Sequence, residues 1–301
     1  MEDAVYLSIK GGFGNQLFQY ASAFSLAKRL SVPLYLEISF FEEDRFKGAW
    51  KLPLLMAPIS VVESTKIEHL RSLTTDGKIW KRLMRILPFH NAYKRKTHWM
   101  DVMDFRIDEQ FDHLKGPILL DGWFLKPLYF HSVRGDLLSL FRPKFTLSES
   151  CQRNLEKVKS VNSVAIHVRR TDYVNNPLFV NLDESYYSKA IEIIQKFTPD
   201  AAYFVFSDDI DWCKGLFGAL QLACEFVQCD GENGDLEDFE VMKSCRHQVI
   251  ANSSFSWWAA YLNENEHKVI VAPKVWYKDP KLQHCMDSGD AFLMDWICVE
   301  Y

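Results

Sequence analysis

Between residues 164 and 272, short apolar runs recur at regular intervals, separated by amphipathic stretches, and this alternation restricts the chain to an α/β fold. The sequence predicts strands over 164–168, 203–207, 224–228, 248–251 and 269–272. Helical apolar spacing fills 184–197, 211–217, 236–245 and 255–263 between them. Strands that are apolar throughout, each followed by a helix, form a parallel sheet covered on both faces. A second strand–loop–helix–strand opens the chain: 5–9, the glycine-rich loop from Lys10 to Gly14, a helix over 15–30, and a strand from Pro33 to about Glu37. A length of 301 residues suits two such units. The pattern resets between Pro143 and Ser160, so we expect domains at 1–150 and 151–301.

Charge and cysteine usage narrow the function classes. A formal net charge of −5 is the wrong sign for a general nucleic-acid binder. Seven cysteines, odd in number and without a C-x-x-C pair, indicate neither a disulfide framework nor a zinc site and suit a reducing, cytoplasmic setting. No signal-peptide pattern and no run of eighteen apolar residues is visible. One segment stands apart: residues 78–96 carry Lys and Arg without an acid, with apolar residues at helical spacing. Two readings stand, a solvated surface helix or peripheral contact with an anionic membrane at its inner face.

Ligands of open parallel sheets bind beyond the carboxyl ends of the strands, and the chemically rich segments lie there. Arg169 and Arg170 follow the strand that carries His167; adjacent guanidiniums at that position call for anionic partners, which a diphosphate supplies bidentately. Arg170 could instead be a structural ion pair with Asp172. Asn252, Ser253, Ser254 and Phe255 follow the strand at 248–251 and open a helix, a seat for phosphate or simply an N-cap. Asp208 and Asp209 follow the strand at 203–207. A metal-binding D-x-D with Asp211, a carboxylate reading the two N–H donors of guanine, and helix capping are all open there. Gly12 and Gly14 begin a dinucleotide-like G-x-G-x-x-G with Glu37 near the ribose position, but Leu17 occupies the third glycine site. The loop through Gly12, Phe13, Gly14 and Asn15 is then either an approach surface for another ligand or a tight turn.

Taken together, the segments 11–21, 167–173, 207–209 and 252–262 resemble, in order, the motifs of bacterial α-1,2-fucosyltransferases, glycosyltransferase family 11. The resemblance implies a GT-B-like fold: two Rossmann-type domains with parallel sheets facing a cleft, the first on the acceptor side and the second binding GDP-fucose. It implies inverting, metal-independent transfer of L-fucose from GDP-β-L-fucose to the 2-hydroxyl of a terminal galactose, with no cofactor and with a galactose-terminated oligosaccharide as partner. It also implies roles: Arg169 on the β-phosphate, Asn15 near the donor, Ser253 or Ser254 on phosphate, and Asp208 or Asp209 on guanine. Inversion requires a carboxylate for the acceptor proton; Asp172 is the first candidate and Asp121 the second. The contrasting reading is a non-catalytic GDP-sugar or glycan-binding protein of the same fold.

Overall fold

The computed structural model describes residues 2–72, 98–101, 111, 114–287, 292, 293 and 295–301. The basic segment 78–96 therefore lies outside the described residues. The chain forms two compact units, Met1–Arg142 with Cys285–Ala291, and Pro143–His284 with Phe292–Tyr301. The division falls at Arg142 rather than at residue 150. The cause is local: Ser148 caps the next helix by accepting from the Cys151 amide at 3.2 Å, and its own amide and hydroxyl donate to the Glu237 carboxylate at 2.6 and 2.7 Å. These contacts tie the residues just before 151 to the second unit.

In the first unit the described strands are β1 (Val5–Ser8), β2 (Leu34–Glu37), β3 (His98–Asp101) and β4 (Ile118–Gly122). The helices are α1 (Phe13–Leu30), α2 (Ser64–Ser72) and α3 (Arg134–Leu140). All four strands are parallel, in the order β2-β1-β4-β3. Ala4, Tyr6 and Leu119 of the sheet pack with Val62, Ile67 and Leu70. α1 begins at Phe13, earlier than the apolar spacing predicts, because Gly12 already has the extended backbone of an N-cap. Gly11 sits at φ 83°, a left-handed conformation that favours glycine, and a Cβ there would lie 3.0 Å from the Trp123 ring.

The second unit holds β5 (Ser163–Val168), β6 (Ala202–Ser207), β7 (Cys224–Phe226), β8 (His247–Val249), β9 (Ile270–Pro273) and β10 (Ile297–Val299). Its helices are α4 (Glu149–Ser160), α5 (Glu184–Phe197), α6 (Ile210–Ala219), α7 (Gly234–Ser244), α8 (Ser254–Tyr261) and α9 (Pro280–Asp287). The sheet is parallel throughout, ordered β10-β9-β8-β5-β6-β7. From β5 the chain builds outward through β6 and β7, then returns to the other side of β5 with β8. The order reverses between β5 and β8, and such a switch point leaves a crevice at the carboxyl ends of the two strands. α5 braces this place from beneath: the Tyr187 hydroxyl donates to the His167 carbonyl at 3.2 Å, and the Tyr186 hydroxyl to the Ile250 carbonyl at 2.5 Å. Both rings are fully buried.

Glu37, at the ribose position of the dinucleotide pattern, is a structural residue. It is 2% exposed and accepts from Ser8 Oγ (2.9 Å), the Ser39 amide (2.9 Å) and Ser64 Oγ (2.7 Å). Burial alone would raise its pKa, but these hydrogen bonds outweigh burial and hold it at about 2. A depressed folded-state pKa adds stability above the unfolded value, and that stability is lost as pH falls through the folded value. Glu37→Gln should therefore cost on the order of 3 kcal/mol at pH 7. In urea titrations the deficit should shrink as pH falls from about 4.5 towards 2; a deficit that does not change with pH would contradict this account.

Candidate active site

β5 is buried along its whole length, and the first residues beyond it are Arg169 and Arg170. They do not float at the strand end. Asp208, beyond the neighbouring β6, receives the Arg170 amide at 2.9 Å, the Thr171 amide at 3.2 Å and the Thr171 hydroxyl at 2.6 Å. Its Oδ2 also lies 3.3 Å from Arg169 Nη1. Burial opposes ionisation of this carboxyl, yet the Thr171 bond, the Arg169 charge and the Arg170 amide lower its pKa. Both Asp208 oxygens are thus engaged by the loop, a role that sequence reasoning did not assign to it.

The two arginines have separate partners. Arg169 donates from Nε to Asp172 Oδ1 at 2.7 Å. Arg170 donates from Nε to Asp209 Oδ2 at 3.2 Å, and its guanidinium carbon lies 4.0 Å from the centroid of the Trp212 ring. The structural ion pair expected between Arg170 and Asp172 is therefore replaced by Arg170–Asp209 and Arg169–Asp172. Asp209 does double duty: its Oδ1 accepts from the Trp212 amide at 3.2 Å and caps α6. Asp211 pairs with Lys214 at 3.0 Å. Among the described residues, Cys151, Cys229 and Glu237 are the group with three donor atoms close enough for a metal ion, within 4.8 Å of one another. The carboxylates of the D-x-D reading are not in that group.

Across the switch point, β8 leads into Asn252 and Ser253. The Ser253 hydroxyl accepts from the Phe255 amide at 3.3 Å and caps α8. Ser254 and Phe255 are half-buried at the helix start. The amino end of α8, with its positive dipole, thus stands at the carboxyl end of β8 beside the arginine loop of β5. His167 is 5% exposed, and its ring lies 5.6 Å from that of Phe255. Burial, aided by the charge of Arg169, lowers its pKa to about 3, so the imidazole is neutral at physiological pH. His167 is therefore a polar wall of the crevice and adds no positive charge.

In the first unit the glycine loop occupies the equivalent place, beyond β1 and next to β4. Phe13 and Gly14 are buried in the first turn of α1, while Gly12 is exposed and Asn15 half-exposed. A Cβ on Gly12 would meet nothing within 4 Å. Gln16 is a staple rather than a ligand donor: its Nε2 donates to the Gly11 and Ala49 carbonyls and its Oε1 accepts from the Lys51 amide. Gln19 holds both backbone groups of Lys10 in the same way. The loop thus combines a fixed backbone with an open face at Gly12 and Asn15. Asp121, the second candidate base, is paired with Lys10 at 2.9 Å.

A model of the family described as glycosyl transferase family 11 matches residues 4–300. The chain belongs to this family. It is 26% identical to an Escherichia coli α-1,2-colitosyltransferase over 98% of this chain and 99% of the relative. It is 24% identical to the Bos taurus galactoside 2-α-L-fucosyltransferase SEC1, over 97% of this chain and 73% of that protein. Among solved structures, an Arabidopsis thaliana FUT1 mutant in complex with GDP is similar at a TM-score of 0.54 and 13% identity, covering 90% of this chain and 70% of that one. That likeness concerns the fold, which is GT-B-like.

For a family 11 glycosyltransferase, the arrangement gathers Arg169, His167, Asp208, Asp209, Asn252, Ser253, Ser254 and Phe255 at the carboxyl ends of three adjacent strands of one unit. Gly12 and Asn15 belong to the other unit. Sequence reasoning missed Thr171 and Trp212, which fix the arginine loop. Thr171 sits inside the arginine motif, but nothing in sequence marks the pairing of its hydroxyl with Asp208. A cavity of about 650 Å³ lined by Asn162, Arg246 and His247 lies at the opposite, amino-terminal edge of the second sheet. It is remote from this chemistry. Asp208→Ala should leave the sheet intact by circular dichroism and speed amide hydrogen exchange at Arg170 and Thr171 at least tenfold, because the loop loses three hydrogen bonds at once. Unchanged exchange would contradict the role given to Asp208.

Proposed function

We propose that this family 11 glycosyltransferase transfers L-fucose from GDP-β-L-fucose to the 2-hydroxyl of a terminal galactose, with inversion and without a metal ion. The observation that carries the reading is the position of Arg169. Its guanidinium is held at the switch point, beside the amino end of α8, by Asp172 and Asp208. A diphosphate laid across these groups would meet one fixed cation and one helix dipole. The α-1,2 linkage in the names of the similar proteins supports the regiochemistry.

Inversion means one in-line displacement. The bond from the acceptor O2 to the fucose C1 forms as the bond from C1 to the β-phosphate oxygen breaks, and GDP leaves with the electron pair. The departing diphosphate gains charge, which Arg169 and the α8 amides are pre-oriented to receive. Asp172 is the proposed acceptor of the hydroxyl proton. The proton leaves late, once the attacking hydroxyl has become acidic. Gly12 and Asn15 of the first unit are assigned to the donor sugar, and Asp208 or Asp209 to guanine. Both carboxylates are engaged with the arginine loop, so a guanine contact would use their remaining lone pairs. A reducing, cytoplasmic setting accords with the free thiols of Cys151, Cys213, Cys224, Cys229 and Cys245.

The test is transfer from GDP-fucose to β-1,3- and β-1,4-linked galactosides in the presence of a chelator. The expected result is an α-1,2-fucosylated product with undiminished rate. The colitosyltransferase relative makes GDP-colitose the donor to run in parallel; preference for it would overturn the fucose assignment and keep the reaction class. Loss of activity with chelator, restored by manganese, would overturn the metal-free mechanism. GDP-fucose binding without turnover on any galactoside would favour the non-catalytic reading. Arg169→Ala should lower kcat by about 10²- to 10³-fold in a folded protein, and near-normal turnover would remove Arg169 from the mechanism.

A further inference from the structure

One side chain of the arginine loop reaches across the switch point. The ring of Tyr173 lies flat on Phe179, with centroids 4.2 Å apart and planes 6° apart. The guanidinium carbon of Arg169 is 5.9 Å from the Tyr173 ring centroid. The Tyr173 hydroxyl donates to the Asn252 carbonyl at 3.1 Å. Tyr173 belongs to the loop after β5 and Asn252 to the segment that opens α8, so this bond joins the two elements on which a diphosphate would rest.

The far side of this bond is fixed in turn. Asn252 Nδ2 donates to the Val180 carbonyl at 2.8 Å and to the Trp276 carbonyl at 3.3 Å. The Val180 amide donates to the Trp276 carbonyl and the Lys278 amide to the Leu178 carbonyl, both at 2.9 Å. Phe179 pairs antiparallel with Tyr277. The connection from β5 to α5 is far longer than the roughly 2–6 residues usual for such links, yet it is pinned along its length. Tyr173 therefore rests on a rigid floor and carries that rigidity to Arg169.

We propose that Tyr173 is a positioning residue: through the Asn252 carbonyl, its hydroxyl sets the separation between the Arg169 guanidinium and the α8 amides that the donor diphosphate spans. The proposal rests on the diphosphate reading above. A phosphate clamp works only at a fixed spacing, since a displacement of about 1 Å can cost on the order of 10²-fold in rate. Tyr173→Phe keeps the ring stack and deletes only the hydroxyl.

The experiment is a double-mutant cycle read by GDP calorimetry, using wild type, Tyr173→Phe, Arg169→Lys and the double variant, each with a measured melting temperature. Tyr173→Phe should weaken GDP about tenfold. In the Arg169→Lys background the same substitution should weaken GDP little further, since the guanidinium it positions is gone. An unchanged GDP affinity in Tyr173→Phe overturns the proposal. So does an equal loss in both backgrounds, or a lowered melting temperature with normal GDP affinity, which is what a merely structural bond would give. Wild type that binds no GDP at all would identify a different failure, that of the diphosphate reading itself.

Discussion

The arginine loop of the second unit depends on one carboxylate. Asp208 gathers two backbone amides, one hydroxyl and one guanidinium from the three residues Arg169, Arg170 and Thr171. Without such a partner, two adjacent guanidiniums at the end of a buried strand would repel each other and turn to solvent. With it, the loop is held against the neighbouring strand β6, and the two arginines diverge. Arg170 turns to Asp209 and the Trp212 face, where it is scaffold. Arg169 stays at the switch point with Asp172 as a second anchor. Preorganisation of this kind is what a metal-free transferase requires, because the stabilising charge must already be in place when the diphosphate leaves.

The positive groups of the crevice are few, and each is already paired. His167, which looks like a further source of charge, is neutral because burial and Arg169 together suppress its protonation. The positive character comes from Arg169 and from the helix end at Ser253. A neutral imidazole, a capped helix and an ion-paired arginine avoid the cost of several unpaired cations in a buried place.

Much of this was legible in the sequence. The alternation of apolar strands and amphipathic helices located β5 to β9 and α5 to α8, because buried parallel strands leave a clear apolar run, while α4, α9 and β10 were not predicted. Placing Arg169 and the serine-rich helix start each at the carboxyl end of a strand needed only the apolar-run pattern; that the two strands are neighbours comes from the sheet order. The partners were not legible. The ion pair considered for Arg170 was with Asp172, two residues away, but Arg170 pairs with Asp209 beyond another strand; Phe179 meets Tyr277 across nearly a hundred residues. Such contacts arise from sheet order, and strand order cannot be read from strand spacing. Glu37 and Gln16 show the same limit from the other side: both look like ligand-seeking residues, and both are consumed by the first unit's own backbone and hydroxyls. The division at Arg142 falls at the near end of the stretch from Pro143 to Ser160 where the sequence pattern resets, because Ser148 is drawn to Glu237.

The central claim is that the donor diphosphate bridges Arg169 and the amino end of α8. A crystal structure of the chain with bound GDP tests it most directly. The account predicts a β-phosphate oxygen within hydrogen-bond distance of the Arg169 guanidinium, and phosphate oxygens facing the amides that follow Ser253. A diphosphate seated elsewhere, with Arg169 still closed on Asp172 and Asp208 and making no phosphate contact, would contradict it.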